Sequence, residues 1–323
     1  MLPKILRLLN TKSKKVDQAT DVDQIPALVA HHPLYTYYES FDALEVIRAS
    51  QCNCVQGSPD VVTNFLGVKV PVQVMPSILT GLAGTVEPAP VPGNWHADIA
   101  EWAGALRSVA LAKDRYQIIE LGCGWGCWIT NMGVAAKARG LEVRLIGIEG
   151  DAKHLKDANL TLSMNGFDSR DFRLIHGIAG PSDGLAFFPK LSETNEDWGA
   201  EAIFYPDQKT ADALRKDDRY QELKCFTLPE LAEGNITDLL HIDIQGAEVV
   251  FLKSNIESMR QTVRRVLVGT HSRVIDGQVM DILLQDSWHL EVERPSIHEI
   301  VSGRPEIRID GVQLWLNPHL PSS

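Results

Sequence analysis

A doubly wound α/β fold is predicted by three features of this sequence. Short apolar runs alternate with amphipathic helical stretches from about residue 94 onward. The first run feeds directly into a glycine-rich turn, and the second ends on a carboxylate. Strands alternating with helices build a mostly parallel sheet with right-handed crossovers. In such sheets ligands sit beyond the carboxyl ends of the strands. The length, 323 residues, accommodates one large α/β domain with an accessory segment.

The elements follow in order. Residues 11–25 are polar and read as a linker, and residues 26–50 mix apolar and aromatic side chains and read as mostly helical. Val68, Val70, Val72 and Val74 occupy alternate positions, a strand signature. Pro76, Pro88, Pro90 and Pro92 then break regular structure. The boundary therefore falls near residue 92, with an N-terminal accessory or cap segment over 1–92 and the α/β domain over 93–323. Asn94 reads as the N-cap of a helix whose apolar positions include Ile99, Trp102, Ala103, Leu106 and Val109. Residues 117–121 form the first buried strand. Further strands are expected at 142–148, 172–176, 238–244 and 265–270. One intervening helix ends near Gly140; another covers 151–164, with Asn165-Gly166 as its stop. Residues 289–293 and 312–316 are strand-like with no long helix between them. They predict an antiparallel pair at the C-terminal edge of a seven-stranded sheet.

Composition narrows the function. Apolar residues make up 44% and charged residues 23%, the balance of a folded globular chain. The net charge of -11 argues against a nucleic-acid partner, which needs a basic face. Five cysteines (Cys52, Cys54, Cys123, Cys127 and Cys225) form no regular framework for disulfides or zinc, which suits a reducing, cytoplasmic setting. The N-terminal Leu2, Ile5, Leu6, Leu8 and Leu9 are interrupted by Lys4 and Arg7. The stretch is too short for a transmembrane span and too broken for a signal peptide.

The sharpest signal is Glu120-Leu121-Gly122-Cys123-Gly124-Trp125-Gly126. An acidic residue ends a buried strand, and glycines then alternate, letting a ligand approach the backbone. A dinucleotide fingerprint requires G-x-G-x-x-G, with a pyrophosphate on the following helix. Here the third position falls on Cys127, and the glycine comes one residue early at Gly126. A carboxylate at Glu120 disfavours pyrophosphate and suits the cationic, phosphate-free S-adenosyl-L-methionine. The second strand ends in Ile148-Glu149-Gly150, where Glu149 can accept hydrogen bonds from both ribose hydroxyls. Gly177-Ile178-Ala179 follows the third strand and is placed to line an adenine ring. The expected cofactor contacts are thus Glu120, Gly122, Cys123, Gly124, Gly126, Glu149, Gly150 and Ile178, joined by Asp243 at the end of the fourth strand.

With these residues in view, the chain resembles a known family. Glu120 to Gly126 is similar to motif I of class I methyltransferases, whose Rossmann-like sheet matches the strand pattern above. Leu240-His241-Ile242-Asp243-Ile244-Gln245-Gly246-Ala247-Glu248 resembles the hallmark of FkbM-type methyltransferases, commonly I-D-V-E-G-A-E. Gln245 stands where that family has glutamate, and a catalytic carboxylate there is ruled out. Phe226-Thr227-Leu228-Pro229-Glu230-Leu231 resembles an element just upstream, with Pro229 in place of the usual aspartate. The segments 269–273 and 310–315 resemble a branch found with glycan-assembly proteins. The resemblance covers about residues 117–290. It implies O-methylation of a sugar hydroxyl on a glycan or glycoconjugate.

Methyl transfer to a hydroxyl requires alignment of the two partners and removal of one proton. Asp243 and His271 follow adjacent strands and share one rim of the sheet. His271 is the expected general base, since imidazole titrates near neutrality, and Asp243 orients it or the acceptor. In an alternative, Asp243 and His271 bind a divalent cation such as magnesium, with Glu248 or a water completing the shell. His96 is a further candidate contact. Trp125 and Trp128 flank the turn, while Trp198, Phe204 and Tyr205 form a candidate acceptor wall. A small-molecule or glycan acceptor is the expected partner, and self-association into a homo-oligomer is left open. Two rival functions are a nicotinamide-dependent oxidoreductase, against which the displaced third glycine speaks, and a non-catalytic cofactor-binding scaffold.

Overall fold

The computed structural model describes residues 32–191 and 198–321. The N-terminal apolar-basic stretch and the polar linker lie outside the described residues. Seven strands form the central sheet: β1 (Arg115–Leu121), β2 (Glu142–Glu149), β3 (Phe172–His176), β4 (Leu239–Ile242), β5 (Arg265–Thr270), β6 (His289–Arg294) and β7 (Gly311–Leu316). They lie in the order β3-β2-β1-β4-β5-β7-β6, and the two-residue strand Tyr38–Glu39 pairs with the outer edge of β6 as an eighth member. Strands β1 to β5 run parallel, and β7 is antiparallel to both neighbours. The expected antiparallel pair therefore forms, but β7 sits inside the sheet rather than on its edge. Its side chains from Gly311 to Trp315 are all buried, whereas β6 is exposed at His289.

Helices cover both faces. The helices α1 (Ile99–Leu111) and α2 (Cys127–Ala138) lie on one side; α4 (Glu248–Thr262) and α5 (Arg273–Gln285) lie on the other, and α3 (Ala152–Met164) follows β2. Ile118, Leu239 and Leu267 pack with Trp102, Trp128 and Met132 on the first face. Ile119, Ile146, Leu240 and Val266 pack with Phe251, Met259 and Leu283 on the second. Covering both faces makes β1 and β4 continuous apolar runs rather than alternating ones.

Several local expectations change. The N-cap of α1 is Asp98, whose Oδ1 accepts from Ala100 N at 2.8 Å and Glu101 N at 3.0 Å. Asn94 instead closes a tight turn, accepting from His96 N and Ala97 N. The alternating valines give only a three-residue strand, Lys69–Pro71, paired with Val61–Thr63. Pro71 has no N–H to extend the ladder, and Val72–Val74 turns into a 3₁₀ helix. Val62, Phe65, Val70 and Leu79 belong to the same apolar cluster as Trp102 and Leu267, so this segment shares the main core. Two additions stand between the sheet strands. Ile178–Ala179, Gly184–Pro189 and Tyr220–Phe226 form a small sheet after β3, and Ile297–Val301 pairs with Arg304–Ile309 as a hairpin between β6 and β7. Among the described residues no helix is long and apolar enough to cross a membrane.

Candidate active site

The sheet order reverses at β1, and a deep cavity opens beyond the carboxyl ends of β1 and β4. The parallel register pairs Glu120 with His241 and Leu121 with Ile242, which brings Gly122 alongside Asp243. A Cβ on Gly122 would lie 2.1 Å from the Asp243 carbonyl oxygen, and its φ of 71° is left-handed. Only glycine fits both constraints. Glu120 is buried at the end of β1, and its carboxylate accepts from Trp128 N at 3.2 Å and Ile129 N at 2.9 Å. It thereby ties the strand end to the first turn of α2, where unpaired N–H groups favour negative charge. Burial pushes its carboxyl up to about 7, against the pull of His241 and those two N–H groups. Gly126 does not line the cavity; it turns the chain into α2, and an added Cβ would lie 3.2 Å from the Ala158 Cβ. Cys123 lines the cavity and packs its thiol against Gly147 of β2, where burial holds it well above the ordinary thiol range.

Glu149 joins the glycine turn to β2. Its Oε2 accepts from Gly124 N at 2.9 Å, and its Oε1 accepts from Asp151 N at 2.8 Å. Burial raises its pKa, opposed by His154 and these backbone donors. Around it the wall is flat and apolar. Trp198 stacks on His154 with ring centroids 4.2 Å apart and planes 1° from parallel. The space over Gly124 is filled by Trp198, whose Cζ3 would be 2.7 Å from an added Cβ; Gly150 meets the Phe188 ring at the same distance. Ile178 and Ala179 complete this end.

At the other end stands a charged cluster. His271 Nδ1 donates to Glu248 Oε1 at 2.9 Å, and Nε2 lies 3.0 Å from Asp243 Oδ1. Glu248 is wholly buried and also accepts from Ile244 N and Gly246 N, which pins the turn that carries Asp243. Gln245 adopts a φ of 51°; its Nε2 donates to Asp243 Oδ1 at 3.0 Å and lies 2.8 Å from His271 Nε2. A neutral ring would accept that amide N–H at Nε2 but would then face the Asp243 lone pairs. The imidazolium has a carboxylate at each nitrogen, although its Nε2–H then faces the Gln245 amide hydrogens. Burial disfavours the charge on His271, yet Asp243 and Glu248 together raise its pKa to about 11. Burial likewise opposes the Asp243 charge, and His271 overcomes it, holding that carboxyl at about 2.

This geometry changes the part expected of His271. As an imidazolium bonded at both nitrogens, the ring has no lone pair to take the acceptor's proton. Among the described residues no group of three or more His, Cys, Asp or Glu side chains is arranged to hold a metal. The raised pKa also carries a stability consequence. The His271 contribution is full below the unfolded value near 6.5 and is lost as pH rises toward 11. His271→Gln should therefore lower the melting temperature most at pH 5–6 and least at pH 10, as followed by thermal melts. A loss that grows with pH would contradict the imidazolium.

From sequence His96 was a candidate contact, while His241 and Glu101 carried no role of their own. His241 is buried on β4, with Nε2 3.3 Å from Glu101 Oε1 and its ring 5.4 Å from Trp128. Burial lowers its pKa, but Glu101 more than offsets this and the net shift is upward. His96 sits among Trp95, Trp125 and Trp128, with neither ring nitrogen hydrogen-bonded; burial drives its pKa down to about 3. The register of β4 on β1 was the signal for His241, because it stands opposite Glu120. Trp198 and Phe204 line the cavity, while Tyr205 is exposed and bonds Ser182.

Six carboxylates line the cavity (Asp98, Glu101, Glu120, Glu149, Asp243 and Asp310) against three cationic side chains, Arg294, Arg308 and the His271 imidazolium. Arg294 is paired with Asp98. A pyrophosphate would meet net repulsion here, whereas a sulfonium and an ammonium would be attracted. The strand-end carboxylate of Glu149 and the aromatic wall suit an adenosine, and the acidic remainder suits a cationic methionine tail.

The family model described as the methyltransferase FkbM domain matches residues 110–300. The chain belongs to the FkbM methyltransferase family. A protein of Jannaschia sp. (strain CCS1) that carries a methyltransferase name is 50% identical over 275 residues, covering 85% of this chain and 99% of the relative. Among solved structures, the FkbM methyltransferase from Methylobacillus flagellatus KT aligns at 12% identity with a TM-score of 0.41. That alignment covers 67% of this chain and 54% of that one. A precorrin-6y C5,15-methyltransferase from Geobacter metallireducens GS-15 aligns at 8% identity with a TM-score of 0.38, covering 66% and 87%. This FkbM-family protein is a methyltransferase with a mainly parallel central sheet, and its family and fold imply S-adenosylmethionine as the methyl donor.

Proposed function

We propose that this FkbM-family protein transfers a methyl group from S-adenosylmethionine to a hydroxyl oxygen, on a sugar of a glycan or glycoconjugate. The observation that carries the proposal is the acidic end of the cavity, where Asp243, paired with His271, and Asp310 both line the wall. Carboxylates accept hydrogen bonds from hydroxyls, and Trp125 in the same cavity wall offers an apolar face to a sugar ring. S-Adenosylmethionine supplies an activated methyl group when bound. In this reading Glu149 holds the ribose hydroxyls, Gly122 lets the glycine turn close on the Asp243 carbonyl, and Glu120 balances the donor's charge. Asp243 and Gln245 align the acceptor at the turn, while Glu248 and His271 keep that turn rigid.

The test is methyl transfer from radiolabelled S-adenosylmethionine to panels of methyl glycosides, amines and thiols. Label in the glycoside fraction, as an acid-stable and base-stable ether, is the expected result. Label confined to amines or thiols would reject the oxygen acceptor.

A further inference from the structure

We propose that Asp310 is the catalytic residue that takes the acceptor's hydroxyl proton, an assignment that rests on the hydroxyl-methylation reading above. Asp310 lies in the cavity wall just before β7. The antiparallel register pairs Thr270 with Gly311, so Asp310 stands across from His271 at the carboxyl end of β5. Its backbone is fixed. A Cβ on Gly311 would lie 2.2 Å from Thr270 Oγ1 and 2.3 Å from Asp276 Oδ1, and Arg294 donates to the Asp310 carbonyl.

Each of the other carboxylates of the cavity already accepts a hydrogen bond. Glu120 accepts from the start of α2, Glu149 from the glycine turn, Asp243 from Gln245 and His271, and Asp98 from Arg294 and the start of α1. Glu101 is engaged by His241. Asp310 Oδ1, by contrast, is buried with no hydrogen-bond partner. A buried acceptor left empty is costly, and an acceptor hydroxyl arriving in the cavity would satisfy it.

The groups around Asp310 tune it for this work. Burial raises its pKa, the His271 imidazolium lowers it, the Asp243 carboxylate raises it and Arg294 lowers it, leaving the carboxyl at about 6. Arg308 also lines the cavity from the neighbouring hairpin. A base works best with a pKa near the operating pH. Asp243 at about 2 is too weak, and His271 at about 11 is already protonated. As the hydroxyl oxygen bonds to the methyl carbon, Asp310 receives the O–H proton. The sulfur–methyl bond breaks and its electron pair stays on sulfur. Asp310 is half-buried and then releases the proton to water.

The test uses the full chain, with methyl glycosides as acceptor probes. Asp310→Asn is expected to cut kcat by about 10² to 10⁴-fold with S-adenosylhomocysteine affinity unchanged. The acid limb of the wild-type rate profile, centred near pH 6, should be lost. A readout independent of turnover is carbon-13 NMR of aspartate-labelled protein: the carboxyl resonance absent from Asp310→Asn should titrate near 6 in the wild type. Should Asp310→Asn fail to bind S-adenosylhomocysteine, Asp310→Glu takes its place; the proposal expects it to keep measurable turnover with a displaced acid limb. Full turnover in Asp310→Asn, or a resonance titrating near 4, would overturn the assignment and leave hydroxyl methylation standing. Wild-type protein that binds S-adenosylhomocysteine but methylates no glycoside would overturn the hydroxyl reading and this assignment with it.

Discussion

Asp243→Ala is expected to reduce methyl transfer by at least about 10²-fold, the range seen when a positioned polar group is lost from a reaction centre. Asp243 follows β4 at the point where the cavity floor meets the acceptor end. Its side chain is 43% exposed, and that exposure faces the cavity. It balances the His271 charge and anchors the Gln245 amide, so its removal leaves His271 with Glu248 alone. The pH dependence has a definite sign. The Asp243 contribution to stability is present above the unfolded value near 3.8 and is lost as pH falls toward 2. Asp243→Ala should accordingly unfold more easily than the wild type at pH 6, with the difference closing in strong acid. Thermal melts at several pH values, together with turnover at pH 7, check both halves. Unimpaired turnover would remove Asp243 from the site.

Gly122→Ala should be more damaging still to cofactor binding. The new Cβ would press on the Asp243 carbonyl from 2.1 Å, and the left-handed φ of 71° costs a side chain about 1–2 kcal/mol by itself. Overpacking adds about 1–3 kcal/mol where the neighbour is rigid backbone. Gly140 provides the control. Its φ of 77° is similar, yet nothing lies within 4 Å of an added Cβ. Gly140→Ala should therefore cost only the backbone term. Urea unfolding and S-adenosylmethionine titration of the two variants separate the effects: similar loss in both would mean that the contact between the glycine turn and the β4 turn is unimportant.

Much of this architecture was legible in the sequence. The five parallel strands could be read because burial on both faces turns them into unbroken apolar runs, as in Ile118-Ile119 and Leu239-Leu240. The glycine turn and Glu149 stood out because close backbone approach and strand-end charge leave local marks. What was less legible depended on partners distant in the chain. Asp98 replaces Asn94 as the cap because its other oxygen is held by Arg294, 196 residues away. His271 looked like a base from its residue type and its place on the rim beside Asp243. Its protonation is set by Asp243 and Glu248, which only the turn after β4 brings to its two nitrogens. Asp310 lay within a quoted motif without a role, because register with β5 across a hairpin insertion places it in the cavity.

The measurement closest to the central claim is isothermal titration of the full-length protein with S-adenosylmethionine, S-adenosylhomocysteine and NAD. An acidic, glycine-floored cavity predicts saturable binding of both sulfur compounds, weakened by Glu149→Ala, and none of NAD. Binding of NAD, or of neither sulfur compound, would contradict it.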